Sequence, residues 1–97
     1  MGKGYWVATY RAVRDPARMA EYAALAGVAI TAGGGRFIVR APPSRMLEGT
    51  PELRVVVVVF DSVAQAIATY ESPAYQAAKA VLGDAADRDV RIVEGAP

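Results

Sequence analysis

The side chains of this chain that can hold or move a proton form a narrow set. There is no histidine and no cysteine. Those absences remove the commonest general base, the commonest protein metal ligand, the thiol nucleophile and the zinc–thiolate site. Acid–base work falls to Asp, Glu, Tyr or Lys. Arg40 closes the stretch GGRFIVR. Its guanidinium could hold an anionic group bidentately if its strand face points into an enclosed space. The competing role is an ion pair with Glu48, Glu52 or Glu94. Tyr10, Tyr70 and Tyr75 could each place a phenol in a pocket, as hydrogen-bond donor or, with a lowered pKa, as an acid–base group. The competing role is a buried ring with a satisfied hydroxyl, and Tyr70 favours it by lying on the apolar stripe of its helix. Trp6 could lie over a flat ligand, with core or interface packing as the alternative. These five residues are the candidate substrate-binding set. No catalytic, cofactor-binding or metal-ligating residue is assigned, and no cofactor is expected.

Other eye-catching residues have simpler roles. Ser72 precedes Pro73, which makes it a helix cap rather than a nucleophile. Gly33, Gly34 and Gly35 follow a helix, whereas a phosphate loop precedes one, so they read as a helix stop. Asp84, Asp87 and Asp89 lack the spacing and the distal Glu of a calcium loop. Asp87 and Asp89 are expected to pair with Arg88, Arg91 or an arginine of a partner copy. Lys79 reads as solvated.

The elements that must position these residues follow from pattern. Aromatic and β-branched residues predict a strand over about Lys3–Val13, with Tyr5, Val7, Thr9 and Arg11 on one face and Trp6, Ala8 and Tyr10 on the other. Asp15 caps a helix that starts at Pro16, and Met19, Tyr22, Ala23, Ala26 and Ile30 form its apolar stripe. Gly35–Arg40 is a strand with Phe37 and Val39 on one face and Arg36, Ile38 and Arg40 on the other. Pro42 and Pro43 bend or end it, and Ser44–Glu48 is a short continuation or a separate edge strand. Arg54–Phe60 is a strand. Asp61 or Ser62 caps a helix to about Glu71, with Val63, Ala66, Ile67 and Tyr70 on one face. Ser72 and Pro73 restart it to about Leu82, and Gly83 ends it. Arg88–Gly95 is the last strand. The fold class is α+β: a ferredoxin-like βαββαβ sandwich, with an antiparallel sheet and its helices on one face. One domain over residues 1–97 suits the length.

RVVVVVF, residues 54–60, is apolar on both strand faces. Helices cover one face of such a sheet. The other set of valines calls for a second copy, sheet against sheet, so the expected partner is the chain itself in a homodimer. Lys and Arg number 11 against 10 Asp and Glu, for a net charge of +1. That balance gives no field for nucleic acid or acidic membranes. RNA-recognition domains share the βαββαβ plan, but their aromatic strand motif is absent. No apolar run has membrane-spanning length, and MGKGYWVATY is no signal peptide. A cytoplasmic location is expected.

KGYWVATYRAVRDPARMAEY, GGRFIVR, RVVVVVF followed by DSVAQAIATYESPAYQAAK, and DVRIVEG together resemble the domain of unknown function 1330 family, within the dimeric α+β barrel superfamily. The resemblance runs from about Lys3 to Gly95. It implies a ferredoxin-like protomer and a dimer, and no named reaction. The superfamily includes cofactor-free monooxygenases, isomerases, cyclases, haem-handling proteins and proteins without known activity. Two segments depart from the pattern. Similar proteins often carry a carboxylate where this chain has Val59, and Gly-Gly where it has Ala41-Pro42-Pro43. The first departure removes a candidate acid or base. The second stiffens a loop that would edge the pocket.

Two functions follow as expectations. One is a small dimeric protein that binds a small organic molecule, an anion among the candidates, in a pocket by the sheet, with cofactor-free catalysis as one use of it. The other is a non-catalytic binding or assembly module.

Overall fold

The computed structural model describes residues 2–97. The order is β1 (Gly4–Val13), α1 (Pro16–Ala32), β2 (Arg36–Ala41), β3 (Arg54–Phe60), α2 (Val63–Glu71), α3 (Pro73–Leu82) and β4 (Ala86–Glu94). The strands form one antiparallel sheet in the order β2-β3-β1-β4. This is the βαββαβ plan, with two split crossovers.

The caps act as their residue types require. Asp15 accepts from the Arg18 N–H, Ser62 from the Gln65 N–H and Ser72 from the Tyr75 N–H. Ser62, not Asp61, is therefore the cap of α2. Each side chain satisfies an orphan donor of a first helical turn. Gly35 is required for packing. A Cβ there would lie 2.7 Å from Ile30 Cγ2, 2.7 Å from Phe60 Cζ and 2.8 Å from Val58 Cγ1, so the end of α1 closes onto β2 only around a bare backbone.

The core lies between the sheet and the helices. Trp6, Ala8 and Tyr10 of β1 and Val58 and Phe60 of β3 meet Tyr22, Ala26, Ala29 and Ile30 of α1, and Ala66, Tyr75, Ala78 and Leu82 of α2 and α3. Trp6 is the hub: its ring stands edge-on to Tyr75 at 4.8 Å between centroids and near Tyr70 at 5.6 Å. On α2 the buried positions are Ala66 and Thr69, while Ile67 is exposed. The Thr69 hydroxyl donates to the Gln65 carbonyl, which removes the cost of burying it. On α1, Ala23 is exposed and Ala29 takes a core position instead.

Three expectations need correction. No strand forms over Ser44–Glu48; residues 42–53 run as a loop without strand pairing. Its three prolines, Pro42, Pro43 and Pro51, remove ladder donors. Strand β4 begins at Ala86, two residues before the expected Arg88, because Ala86 and Asp87 pair with Val13 and Ala12 past a bulge in β1. The faces of β2 also differ from simple alternation. Phe37 pairs with Val58 and Val39 with Val57, so Ile38 is an extra residue between them. This bulge turns Val39 to the open face with Val57, and turns Arg40 to the helix face with Val56.

The open face of the sheet carries Tyr5, Val7 and Thr9, and Val55, Val57 and Val59 opposite them, with Val39 beside Val57. Val55 and Val57 are half-buried there and Val59 is buried. Val39 and Val93 remain exposed on the two edge strands. The loop between β2 and β3 adds Met46, Leu47 and Leu53 to the exposed apolar surface.

Candidate functional site

Helix α1 packs chiefly against α3, while α2 packs against β1, β3 and β4. The strip of sheet beneath α1 is left less tightly covered, and a cleft opens there. Its floor is Trp6, Ala8, Tyr10, Phe37 and Val56, and its roof is Met19, Tyr22, Ala23, Ala26, Gly27 and Ile30. The cavity itself is about 50 Å³, small beside the roughly 300–1,000 Å³ of most small-molecule sites, so it admits a small group at its open mouth. Its make-up, mostly apolar with a few placed polar groups, is that of such sites.

The polar groups here are of one kind. Arg40, Arg54 and Arg88 line the cleft, and no carboxylate, lysine, histidine or cysteine does. Sheet register explains their grouping. Arg54 and Arg88 are the direct neighbours of Tyr10 on its two sides, and Arg40 pairs with Val56, two residues along β3 from Arg54. Arg40 lies over the Phe37 ring, with its Cζ 4.3 Å from the centroid. Among the described residues no carboxylate lies within 4.0 Å of Arg40, Arg54 or Arg88. The expected pairing of Arg40 with Glu48, Glu52 or Glu94 is absent from the described residues. Asp87 pairs with Arg14 at 2.8 Å, and Asp89 with Arg11 at 2.6 Å and more loosely with Arg91 at 3.7 Å. Arg88 faces the helices and Asp89 the open side, so the two cannot pair as adjacent strand residues.

Arg88 is instead held by three phenols. Its Nη1 donates to Tyr22 Oη at 2.8 Å and to Tyr10 Oη at 3.2 Å, and its Nη2 donates to Tyr75 Oη at 2.9 Å. Tyr22 and Tyr75 share a further hydrogen bond at 2.8 Å. Burial works against the Arg88 charge, but the oxygens of Tyr22, Tyr75 and Tyr10 outweigh it and hold the pKa above the ordinary 12.5. Burial first, and the neighbouring Tyr75 oxygen next, push the Tyr22 phenol well above its ordinary 10 despite Arg88. Tyr22 is therefore a neutral hydrogen-bonding group at physiological pH, not a base.

Of the five candidates singled out in the sequence, Trp6, Tyr10 and Arg40 line this cleft. Arg40 reaches it from the helix side, not from between two sheets. Tyr75 stands behind the cleft and joins it through Tyr22 and Arg88. Tyr70 does not line it; it packs on Trp6 and Tyr75, with Lys79 Nζ 5.3 Å above its ring. Arg54, Arg88 and Tyr22 were missed. A signal for Arg88 was present: it shares the inward face of β4 with Val90 and Ile92, where a charge is out of place. Tyr22 was assigned to the apolar stripe of α1, and nothing local marked its hydroxyl. Val59 sits on the open face opposite Tyr5, so a carboxylate in its place would not enter the cleft.

Solved structures share this architecture. A protein of unknown function from Rhodopseudomonas palustris, RPA0582, superposes with a TM-score of 0.81 at 18% identity, covering 99% of this chain and 84% of that one. SnoaB, a cofactor-independent oxygenase from Streptomyces nogalater, gives 0.70 at 11% identity, covering 100% and 96%. A dimeric ferredoxin-like protein of unknown function from Thermobifida fusca gives 0.58 at 16% identity, covering 96% and 91%. At these identities the likeness is one of fold. No curated protein matches the sequence. Residues 3–96 match the family described as domain of unknown function DUF1330, and the chain belongs to that family.

Proposed function

We propose that this protein is a homodimer, paired through the open sheet face, whose cleft under α1 binds a small organic anion. One observation carries the binding reading: three arginines and no carboxylate line an otherwise apolar cleft. Arg54 and Arg88 are partly buried and Arg40 is exposed at the mouth; an anionic ligand would supply the counter-charge that no carboxylate in the cleft provides. The apolar floor and roof suit the body of an organic molecule rather than a bare inorganic ion. The dimer reading rests on the valine face of the sheet and on the fold shared with proteins described as dimeric.

Binding without catalysis is the simpler form of this reading. No carboxylate, histidine, cysteine or lysine lines the cleft, and Tyr22 is held in its protonated form. A substrate acidic enough to lose its own proton would need no base from the protein, and the fold is shared with a cofactor-independent oxygenase. Turnover is therefore the second form of the same reading.

Native mass spectrometry of the purified protein tests the assembly and detects a retained ligand. A panel of organic anions and their neutral counterparts, read by thermal unfolding, tests the binding. The expected result is a dimer, stabilised more by anions than by their neutral counterparts, with the difference reduced in Arg40→Ala. Indifference to every anion would overturn the binding reading, and a monomer would overturn the assembly.

A further inference from the structure

Helix α1 has a second flank, turned away from the cleft. The chain carries no charge from Tyr22 to Gly35, and none from Ser62 to Tyr70. Over its last three turns α1 is therefore uncharged on every side, which is the pattern of a helix that is covered all round. Yet Leu25 and Val28 stand 45% and 74% exposed. With Ala32 they form a ridge at i, i+3 and i+7 on one stripe. Beside the ridge, a groove separates the end of α1 from α2 and the start of α3. Ala29, Ala32, Ala68, Thr69 and Ala74 line it, and its volume is about 320 Å³. No charged side chain among the described residues lines it. Its polar side chains are already engaged. Gln65 Nε2 donates to the Gly33 carbonyl at 2.9 Å, the Thr69 hydroxyl to the Gln65 carbonyl at 2.9 Å, and the Ser72 hydroxyl to the Thr69 carbonyl at 2.7 Å. A polar ligand finds little there to bind. Aliphatic side chains fit, since a cavity of roughly 150 Å³ holds a benzene.

We propose that a second copy of this chain covers the helix face, with Leu25 and Val28 of each copy seated in the groove of the other. Ridge and groove lie side by side on one face, so a two-fold axis between them satisfies both at once, which is the condition for isologous pairing. The face is large enough. The protomer measures 36 × 34 × 16 Å, the helices form one of its two broad sides, and a standard interface takes roughly 800 Å² per partner. Glu21, one turn before Leu25, and Glu71, at the end of α2, are exposed and supply a polar rim. Joined with the sheet-face pairing proposed above, the contact makes a dimer of dimers. Alanines bury little area apiece, so this is the weaker of the two contacts and closes at higher protein concentration.

Sedimentation equilibrium of the intact protein, from micromolar to near-millimolar concentration, tests the contact. The expected result is a shift from dimer to tetramer as concentration rises. Val28→Glu should lose the tetramer and keep the dimer, with the protomer folded by circular dichroism. Val57→Glu opens the sheet face and should still pair at high concentration, so failure of one contact is told apart from failure of the other. The chain has no cysteine, so single introduced thiols report which surfaces meet. Val28→Cys mixed with Ala68→Cys should join through a short bis-maleimide at high concentration. A dimer that Val28→Glu dissociates would keep the helix contact and overturn the sheet contact. A dimer at every concentration, unchanged by Val28→Glu, would overturn the proposal. So would a tetramer that survives Val28→Glu, or one in which the two thiols do not join.

Discussion

Tyr22 and Arg88 bond to each other at 2.8 Å in a mostly buried setting, and the pair has a titration signature. The native state keeps Tyr22 protonated well past the ordinary phenol value of 10. Between that value and the native one, the folded chain binds more protons than the unfolded chain. Stability is therefore fully present below about pH 10 and is lost as pH rises above it. Urea unfolding across the alkaline range should show that decline, and Tyr22→Phe should make it shallower. The same variant loses its bonds to Tyr75 and Arg88, and should cost about 1–3 kcal/mol at neutral pH. An equally steep alkaline decline in Tyr22→Phe would mean that another group sets it.

At the scale of elements, α1 contains a glycine with no packing reason. A Cβ on Gly27 would meet nothing within 4 Å, and Gly27 lines the cleft. Glycine inside a helix costs about 1 kcal/mol relative to alanine. Gly27→Ala should therefore raise stability by about 0.5–1 kcal/mol in denaturant unfolding. Gly27→Leu should fill the roof of the cleft and weaken binding of a small organic anion, with the fold intact by circular dichroism. Unimpaired binding in Gly27→Leu would move the ligand away from α1. The elements themselves were largely legible in the sequence. Asp15, Ser62 and Ser72 carry capping chemistry that acts within four residues, and RVVVVVF is β-branched along its length, so β3 and the helix starts lie where local pattern puts them. The bulge at Ile38 was not legible, because an extra residue in a strand is defined by the partner strand and not by its own neighbours. The cluster at Arg88 was hidden for the same reason. Its four members come from β1, α1, α3 and β4, and only the register of β1 with β4 sets Tyr10 beside Arg88. Arg40 was singled out as a candidate for binding but assigned to the wrong face, since alternation was counted straight through the bulge.

For the whole molecule, the open valine face is where assembly is decided. Val57 sits at its centre, paired with Val7 on one side and Val39 on the other. A carboxylate there would meet water in a monomer but would be buried without a partner between two sheets. Val57→Glu should therefore leave the protomer folded and dissociate the dimer, as read by sedimentation equilibrium. A dimer that survives this change would place the interface elsewhere. The bulge in β2 bears on both faces. With Ile38 counted out, Phe37, Val39 and Arg40 alternate as a regular strand would, inward, outward, inward. Removing Ile38 therefore straightens β2 without turning over a single neighbour: Arg40 stays in the cleft and Val39 stays on the open face. A deletion at Ile38 is thus silent for both surfaces, whereas a deletion within β3 would exchange them. At Ile38 the length of a strand can change without changing what either side of the sheet presents.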